Sequence, residues 1–482
     1  MDPGTARDGG DLARRRGAAG HDGLTFDADL LRRHDRPGPR YTSYPTAPQF
    51  RADFGAAQLA EFAAQAGSAR PKRPLSVYLH VPFCLSPCFY CGCNRIISRD
   101  SSRVAEYARR LSREIALAAP LFDSDRELIQ LHLGGGTPNL LAADALEGLV
   151  RDLGESFRLS QAEDRDFSIE LDPRSVPPGY VAKLAELGFN RVSLGVQDFD
   201  ERVQGAVNRL QSVEQTLSLI AACRANDIRS VNVDLIYGLP EQTLDGFRAT
   251  LRTVTGARPD RLAVYGYAHL PQLFKAQTQI DASRLPGADA RLALLGLAIE
   301  ELTAAGYHYI GMDHFALPDD ELVRAQAHGT LQRNFMGYTT HAGTDLLGLG
   351  MSAISHVGDS FSQNHRDILT WSDAVDHNRL PTARGIALSA DDLVRAEVIS
   401  QLMCHGRIDV PSIEQRFRVD FAGYFAPALA QLRQQVAEGL VQLEPGQICV
   451  TPRGRLLLRN VAMCFDAYLA QAAGTARYSR AI

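Results

Sequence analysis

The chain has 482 residues, of which 45% are hydrophobic and 22% charged, with a net charge of −5 and a pI near 6.2. That length exceeds one compact core and predicts two or three structural units of an ordinary globular protein. The acidic balance argues against a dominant nucleic-acid role, and no apolar run reaches the roughly 18 residues of a membrane span, so neither partner is expected.

Residues 1–22 read as a disordered tail of a cytoplasmic protein. Arg14, Arg15 and Arg16 lack a following apolar segment, and Asp2, Asp8 and Asp11 count against a transit peptide. Residues 23–74 read as an N-terminal extension able to act as a lid. From about 75 to 270, six β-rich runs follow: 76–83, 128–133, 167–172, 191–197, 231–236 and 261–267. They read as too continuously apolar for solvated antiparallel strands, which predicts a parallel sheet covered by helices. Helical stripes lie between them: Val104, Tyr107, Leu111 and Ile115, then Leu146, Leu149, Val150, Leu153 and Phe157, then Val213, Leu217 and Ile220.

Six strand-then-helix repeats imply right-handed crossovers and an α/β fold, a full or partial barrel, with an open doubly wound sheet as the competing topology. The polar and glycine-rich motifs end the strands, where barrels build their sites, and this favours the barrel. A further helix at 285–306 and a loop-rich stretch complete a unit expected to span 75–380. Residues 381–482 read as a mainly helical C-terminal domain covering the cleft, with a winged-helix-like hairpin about Pro445-Gly446. Between 385 and 482 there are ten Arg against nine Asp plus Glu, so that domain lacks the basic footprint of a DNA reader.

Four of the eight cysteines, Cys84, Cys88, Cys91 and Cys93, fall within ten residues, and such clustering in a non-secreted chain reads as a metal site. Cys84-x3-Cys88-x2-Cys91 supplies three thiolates from one loop after the first strand. A cubane has four irons, so one iron is left for a small-molecule ligand. Zinc held by three Cys with His80 or Cys93 is the rival, but zinc loops usually add a second, distant Cys pair, which is absent. A ferredoxin-type site wants a fourth cysteine in register, also absent. Cys93 reads either as a buried small residue or as a reactive group near the substrate.

The cysteine spacing after a first strand resembles the radical S-adenosylmethionine (SAM) superfamily. The wider string Tyr78-x-His80-x-Pro-Phe-Cys84-x3-Cys88-x-Tyr90-Cys91-Gly-Cys93-Asn94, with Arg40-Tyr-Thr-Ser-Tyr-Pro-Thr46 upstream, resembles the oxygen-independent coproporphyrinogen III oxidase family. Gly134-Gly-Gly-Thr-Pro138, Ile169-Glu-Leu-Asp-Pro-Arg174, Gly195-Val-Gln-Asp-Phe199, Asp234-Leu-Ile-Tyr-Gly-Leu-Pro240, Gly311-Met-Asp-His-Phe315 and the 345–355 string agree. The resemblance implies a partial (β/α)6 radical SAM barrel, with a [4Fe–4S] cluster on Cys84, Cys88 and Cys91. It implies one SAM contacting Tyr78, Tyr90, Gly135, Glu170 and Ile354, and a second at Gly136, Thr137, Gln197, Arg209, Asp234 and Ala268. Cys93, Glu170 and Tyr78 are the implied catalytic residues. Where the family usually carries Gln, this chain has Met336, which can neither donate nor accept strongly.

The activity so implied is oxidative decarboxylation of two propionates of coproporphyrinogen III to vinyl groups, through a 5′-deoxyadenosyl radical, giving protoporphyrinogen IX in anaerobic haem biosynthesis. Expected partners are that substrate and a low-potential electron-donor protein, acting on a monomer. The alternative is a haem-binding trafficking protein of the same superfamily, which generally lacks both the Arg-Tyr-Thr-Ser-Tyr-Pro leader and the Cys-Gly-Cys-Asn ending.

Overall fold

Six strands form where the six runs predict them: Leu75–Val81 (β1), Glu127–Gly135 (β2), Asp166–Leu171 (β3), Arg191–Gln197 (β4), Ser230–Tyr237 (β5) and Arg261–Gly266 (β6). In this computed structural model, which describes residues 24–68 and 71–469, they pair in that order and all in parallel. The tail read at 1–22 lies outside the described residues. Helices Ser101–Ala118, Ala143–Ser156, Tyr180–Glu186, Val213–Ala225 and Leu244–Gly256 make the crossovers. Ser101–Ala118 starts on the Asp100 side chain, and Val213–Ala225 on a Ser212/Gln215 capping box, so each helix begins where its orphan amides find an acceptor.

The strands are not continuously apolar, as the sequence reading had it. Each alternates. Val77 and Leu79 in β1, Leu131 and Leu133 in β2, Ile169 in β3, Leu194 in β4 and Val233 and Leu235 in β5 are buried in the main core. The residues between them are Tyr78, His132, Ser168 and Glu170, Ser193, and Asn232 and Asp234. With a side-chain period of two, these share the opposite face. The helices cover the apolar face and leave a polar interior. One helical stripe also differs: Ile220 is buried as expected, but Leu217 is exposed, and Val213–Ala225 also buries Thr216, Leu219 and Cys223.

The stretch expected to be loop-rich before 380 is largely structured. Strand Asp345–Leu349 pairs in parallel with β1, and Ile354–His356, Ser360–Asn364 and Thr382–Ala387 follow it antiparallel. At the other edge, β6 pairs with His314–Ala316 and that strand with His308–Gly311. The sheet therefore runs from His308–Gly311 to Thr382–Ala387 as an open path, a partial barrel. These strands are short or flanked by glycine, which hid them from a reading by apolar runs.

A second core joins the chain's two ends. Leu30, Leu31, Tyr41 and Tyr44 pack with Val398, Leu402, Ile413, Leu432, Val461 and Phe465. The C-terminal unit combines helices Ala390–His405, Val410–Phe417 and Ala426–Ala437 with a three-stranded antiparallel sheet of Arg407–Asp409, Gln447–Val450 and Val441–Glu444. This agrees with the winged-helix-like expectation.

Candidate active site

The loop after β1 carries the three thiols, and neighbouring elements hold it on several sides. The Phe89 amide donates to the Val207 carbonyl (2.9 Å) and Asn208 Nδ2 to the Pro87 carbonyl (2.7 Å). Arg95 Nη2 donates to the Cys88 carbonyl (3.1 Å), and Asn94 Nδ2 to the Arg366 carbonyl (3.0 Å).

Each sulfur has a donor aimed at it. Thr137 Oγ1 lies 3.5 Å from Cys84 Sγ, Arg209 Nη1 3.5 Å and Arg174 Nη2 3.7 Å from Cys88 Sγ, and the Cys93 amide 3.4 Å from Cys91 Sγ. Such donors favour thiolates, the form that ligates metal. The hydrogen bond from Cys93, with Arg95 and Arg209 nearby, pulls Cys91 down to about 6, while burial pushes Cys84 up to about 11. All three thiols are free. Among the described residues no three His, Cys, Asp or Glu side chains are grouped as they would be about a single ion. A cubane is different, since its cysteines bind separate irons. The donor set fits the cluster.

The thiols open onto a cavity of about 230 Å³ that is also lined by Tyr90, Gly135, Gly136, Thr137, Glu170, Gln197, Arg209 and Asp234. A second cavity, of about 340 Å³, is lined by Tyr78, His80, Cys93, His132, Gly135, Glu170, Phe335, Met336 and Ile354. The two share Cys93, Gly135 and Glu170. The sequence points to fifteen residues, and the structure brings all but one of them to these walls. Ala268, two residues beyond β6, lies outside them.

Glu170 stands at the centre. Burial alone would raise its carboxyl, but His132 Nε2 (3.4 Å) and the Gly135 amide (3.0 Å) hold it below the usual carboxylate range. It is therefore ionised. Asp234 differs: burial and the Glu170 charge push it up to about 6, despite hydrogen bonds from Asn232 and Ser193. Two carboxylates in one interior thus titrate apart. Arg209 already faces Asp172 (3.4 Å), which Arg174 also holds (2.6 Å), and its buried Nε has no hydrogen-bond partner. Gln197 adopts a left-handed backbone (φ 71°), a strained conformation at the rim of the cavity.

Cys93 is not a buried small residue. It is exposed and stands between the cavities, and its hydrogen bond to the Cys91 sulfur pushes its own thiol well above the ordinary range. His132, Arg174 and Asp172 are not legible as site residues in the sequence, and His80 is legible there only as a candidate zinc ligand. Tyr78 Oη lies 3.0 Å from His80 Nδ1, and His80 Nε2 lies 3.0 Å from the Asn94 carbonyl. His132 stacks on Tyr78, with ring centres 5.8 Å apart. The alternation within Gln130-Leu-His132-Leu and Ser168-Ile-Glu170-Leu was the signal that marked the inward face.

A profile described as "Radical SAM superfamily" matches residues 78–254, and one described as "HemN C-terminal domain" matches residues 388–457. The chain is 48% identical over 461 residues to the oxygen-independent coproporphyrinogen III oxidase of Pseudomonas aeruginosa, covering 96% of this chain and all of that one. It is 45% identical over 459 residues to the Escherichia coli protein of the same name, covering 95% and 99%. The solved structure of E. coli coproporphyrinogen III oxidase, described as a radical SAM enzyme, matches with a TM-score of 0.87 at 44% identity, over 92% of this chain and all of that one.

Proposed function

The chain belongs to the oxygen-independent coproporphyrinogen III oxidase family of radical SAM enzymes, and on that premise we propose how its own residues serve the reaction. The reaction is oxidative decarboxylation of propionates of coproporphyrinogen III to vinyl groups, in haem biosynthesis. The haem-trafficking alternative is set aside, since the relatives at this identity are named for the oxidase.

One observation carries the reading: the three-thiol loop opens into a cavity that shares Cys93, Gly135 and Glu170 with a larger, mostly apolar one. When bound, the cluster and SAM supply an electron and a 5′-deoxyadenosyl radical able to remove hydrogen from a propionate β-carbon. Cys84, Cys88 and Cys91 would hold the cluster. Glu170, ionised and acceptor-only, suits an ammonium or ribose hydroxyls. Gly135 lets a ligand approach the backbone closely, with Tyr78, Tyr90 and Ile354 flanking it. Gly136, Thr137, Gln197, Arg209 and Asp234 form the wall proposed for a second SAM. Ala268, two residues beyond β6 and outside the lining of either cavity, is proposed with them.

Phe335, Met336, Ala353 and Ile354 make the larger cavity apolar and exclude water from the reacting carbon. Met336 keeps that wall apolar where the family's Gln would be polar. His80 is buried and pushed below its ordinary range, so it stays neutral and leaves Glu170 as the fixed charge. Cys93 faces both cavities as a protonated thiol, placed to contact the reactants. A low-potential donor protein supplies electrons to a cytoplasmic monomer. No helix among the described residues is long and apolar enough to cross a membrane.

The test is anaerobic reconstitution with iron and sulfide, then incubation with coproporphyrinogen III, SAM and a reductant. Vinyl product with 5′-deoxyadenosine supports the reading. 5′-Deoxyadenosine without vinyl product refutes the substrate.

A further inference from the structure

The hairpin 332–339, built from Gln332–Asn334 paired antiparallel with Gly337–Thr339, separates several cavities. Phe335 and Met336 line the 340 Å³ reaction cavity. On the far side, Phe335 and Arg333 line another cavity of about 240 Å³, closed by Tyr41–Tyr44 of the N-terminal segment and by helix Ala390–His405. Phe335 is common to the walls of both cavities, so the hairpin stands between them.

The charge of this outer cavity does not balance. Its ionisable walls are Arg333, Arg416, Glu397 and His356. Arg416 and Glu397 pair with each other at 2.5 Å. Burial pushes His356 down to about 4, so it is neutral near pH 7. That leaves Arg333. Its Nη1 donates to the Arg40 carbonyl (3.1 Å), its guanidinium lies 5.1 Å from the Tyr338 ring centre, and its buried Nε has no hydrogen-bond partner. No carboxylate among the described residues pairs with it.

The surroundings add positive charge. Arg40 is held by Asp313, and Arg459 packs nearby. Burial, with Arg333 and Arg40 close by, pushes His314 down to about 3, and burial together with Arg40 lowers Arg459 to about 10. A half-buried guanidinium that no carboxylate neutralises is stabilised by an anion that completes it. The planar fork suits a carboxylate.

We propose that this outer cavity holds a propionate of the substrate other than the one losing carbon dioxide, and that Arg333 is the residue that pairs with it. The inference rests on the substrate class given above. Arg333 is thus a specificity residue: it holds the far edge of the tetrapyrrole and so fixes which propionate reaches the reaction cavity. The N-terminal segment, whose Arg40 carbonyl accepts from Arg333, forms one wall of the same pocket.

The probe is coproporphyrin III, the stable aromatic tetra-acid, titrated anaerobically against the full chain by fluorescence, with its tetramethyl ester as control. Losing a charge-assisted pair predicts an affinity about 10- to 100-fold weaker for Arg333→Gln. Arg333→Lys, which keeps the charge without the fork, should show a smaller loss. The ester should bind wild type and Arg333→Gln alike. In turnover, KM for coproporphyrinogen III rises more than kcat falls. Equal affinity of wild type, Arg333→Gln and Arg333→Lys for the tetra-acid overturns the proposal. If Arg333→Gln melts early, Arg333→Lys and the wild-type comparison decide, and an ester bound as tightly as the acid also overturns it. A wild-type chain that binds porphyrin through Arg333 but forms no vinyl product defeats the functional reading and leaves this one standing.

Discussion

Gly136 lies where β2 leaves the sheet, and its amide donates to the Val81 carbonyl at 2.8 Å. A Cβ there would sit 2.6 Å from the Pro82 oxygen, 2.7 Å from the Phe83 oxygen and 2.7 Å from the Pro82 carbonyl carbon. All three are backbone atoms of the segment that carries Cys84, so no side chain can swing away. Gly136→Ala must therefore displace the cluster loop itself, and overpacking of this kind costs about 1–3 kcal/mol. Gly205→Ala is the control. It lies in helix Glu201–Ala206 with nothing within 4 Å of its added Cβ, and should stabilise by up to about 1 kcal/mol. The assays are iron and sulfide per chain after anaerobic reconstitution, and the urea midpoint. Gly136→Ala should lower both, whereas Gly205→Ala should leave the iron content intact. If Gly136→Ala matches wild type in iron content and midpoint, the crowding argument is wrong.

Cys88→Ser should abolish cluster absorbance and SAM cleavage, while Cys93→Ser should keep its iron; iron lost from the second variant would make Cys93 a ligand. Glu114 is buried, and accepts from the Gly350 amide (2.8 Å), Asn364 Nδ2 (2.7 Å) and Trp371 Nε1 (3.0 Å), yet burial pushes its carboxyl up to about 7. Because the folded chain holds this proton more tightly than the unfolded chain, its contribution is whole at acid pH. It is lost as pH rises through about 7, amounting to about 3 kcal/mol. Urea midpoints should fall between pH 5 and 7.5, less steeply in Glu114→Gln, and a midpoint that rises over that range contradicts this. Arg126 and Asp345 pair at 2.5 Å with both side chains 1% exposed. Arg126→Met leaves Asp345 with the Gly358 amide (3.0 Å) and a distant Arg73 (3.7 Å), and should cost about 3–5 kcal/mol by denaturant unfolding.

The sequence by itself determined the cluster loop, because ligation by three thiolates depends on spacing along one short segment. Cys84, Cys88 and Cys91 are legible without a fold. It also located the six strands, since β-rich segments separated by amphipathic helices mark strand–helix repeats, although their alternation and the closure of the sheet were not read from it. Only the tertiary structure decided what those strands enclose. His132 reaches Glu170 because β2 and β3 pair in one register, and a shift of one residue in either strand would have turned that strand's side chain to the opposite face. The same holds for Arg333: nothing in Gln-Arg-Asn predicts a half-buried guanidinium without a carboxylate partner, and its setting is made by Arg40, Tyr338 and helix Ala390–His405, brought together from remote parts of the chain. The strands after residue 300 were missed because their order is fixed by pairing with the edges of a sheet already built, and that information is not local to the segment.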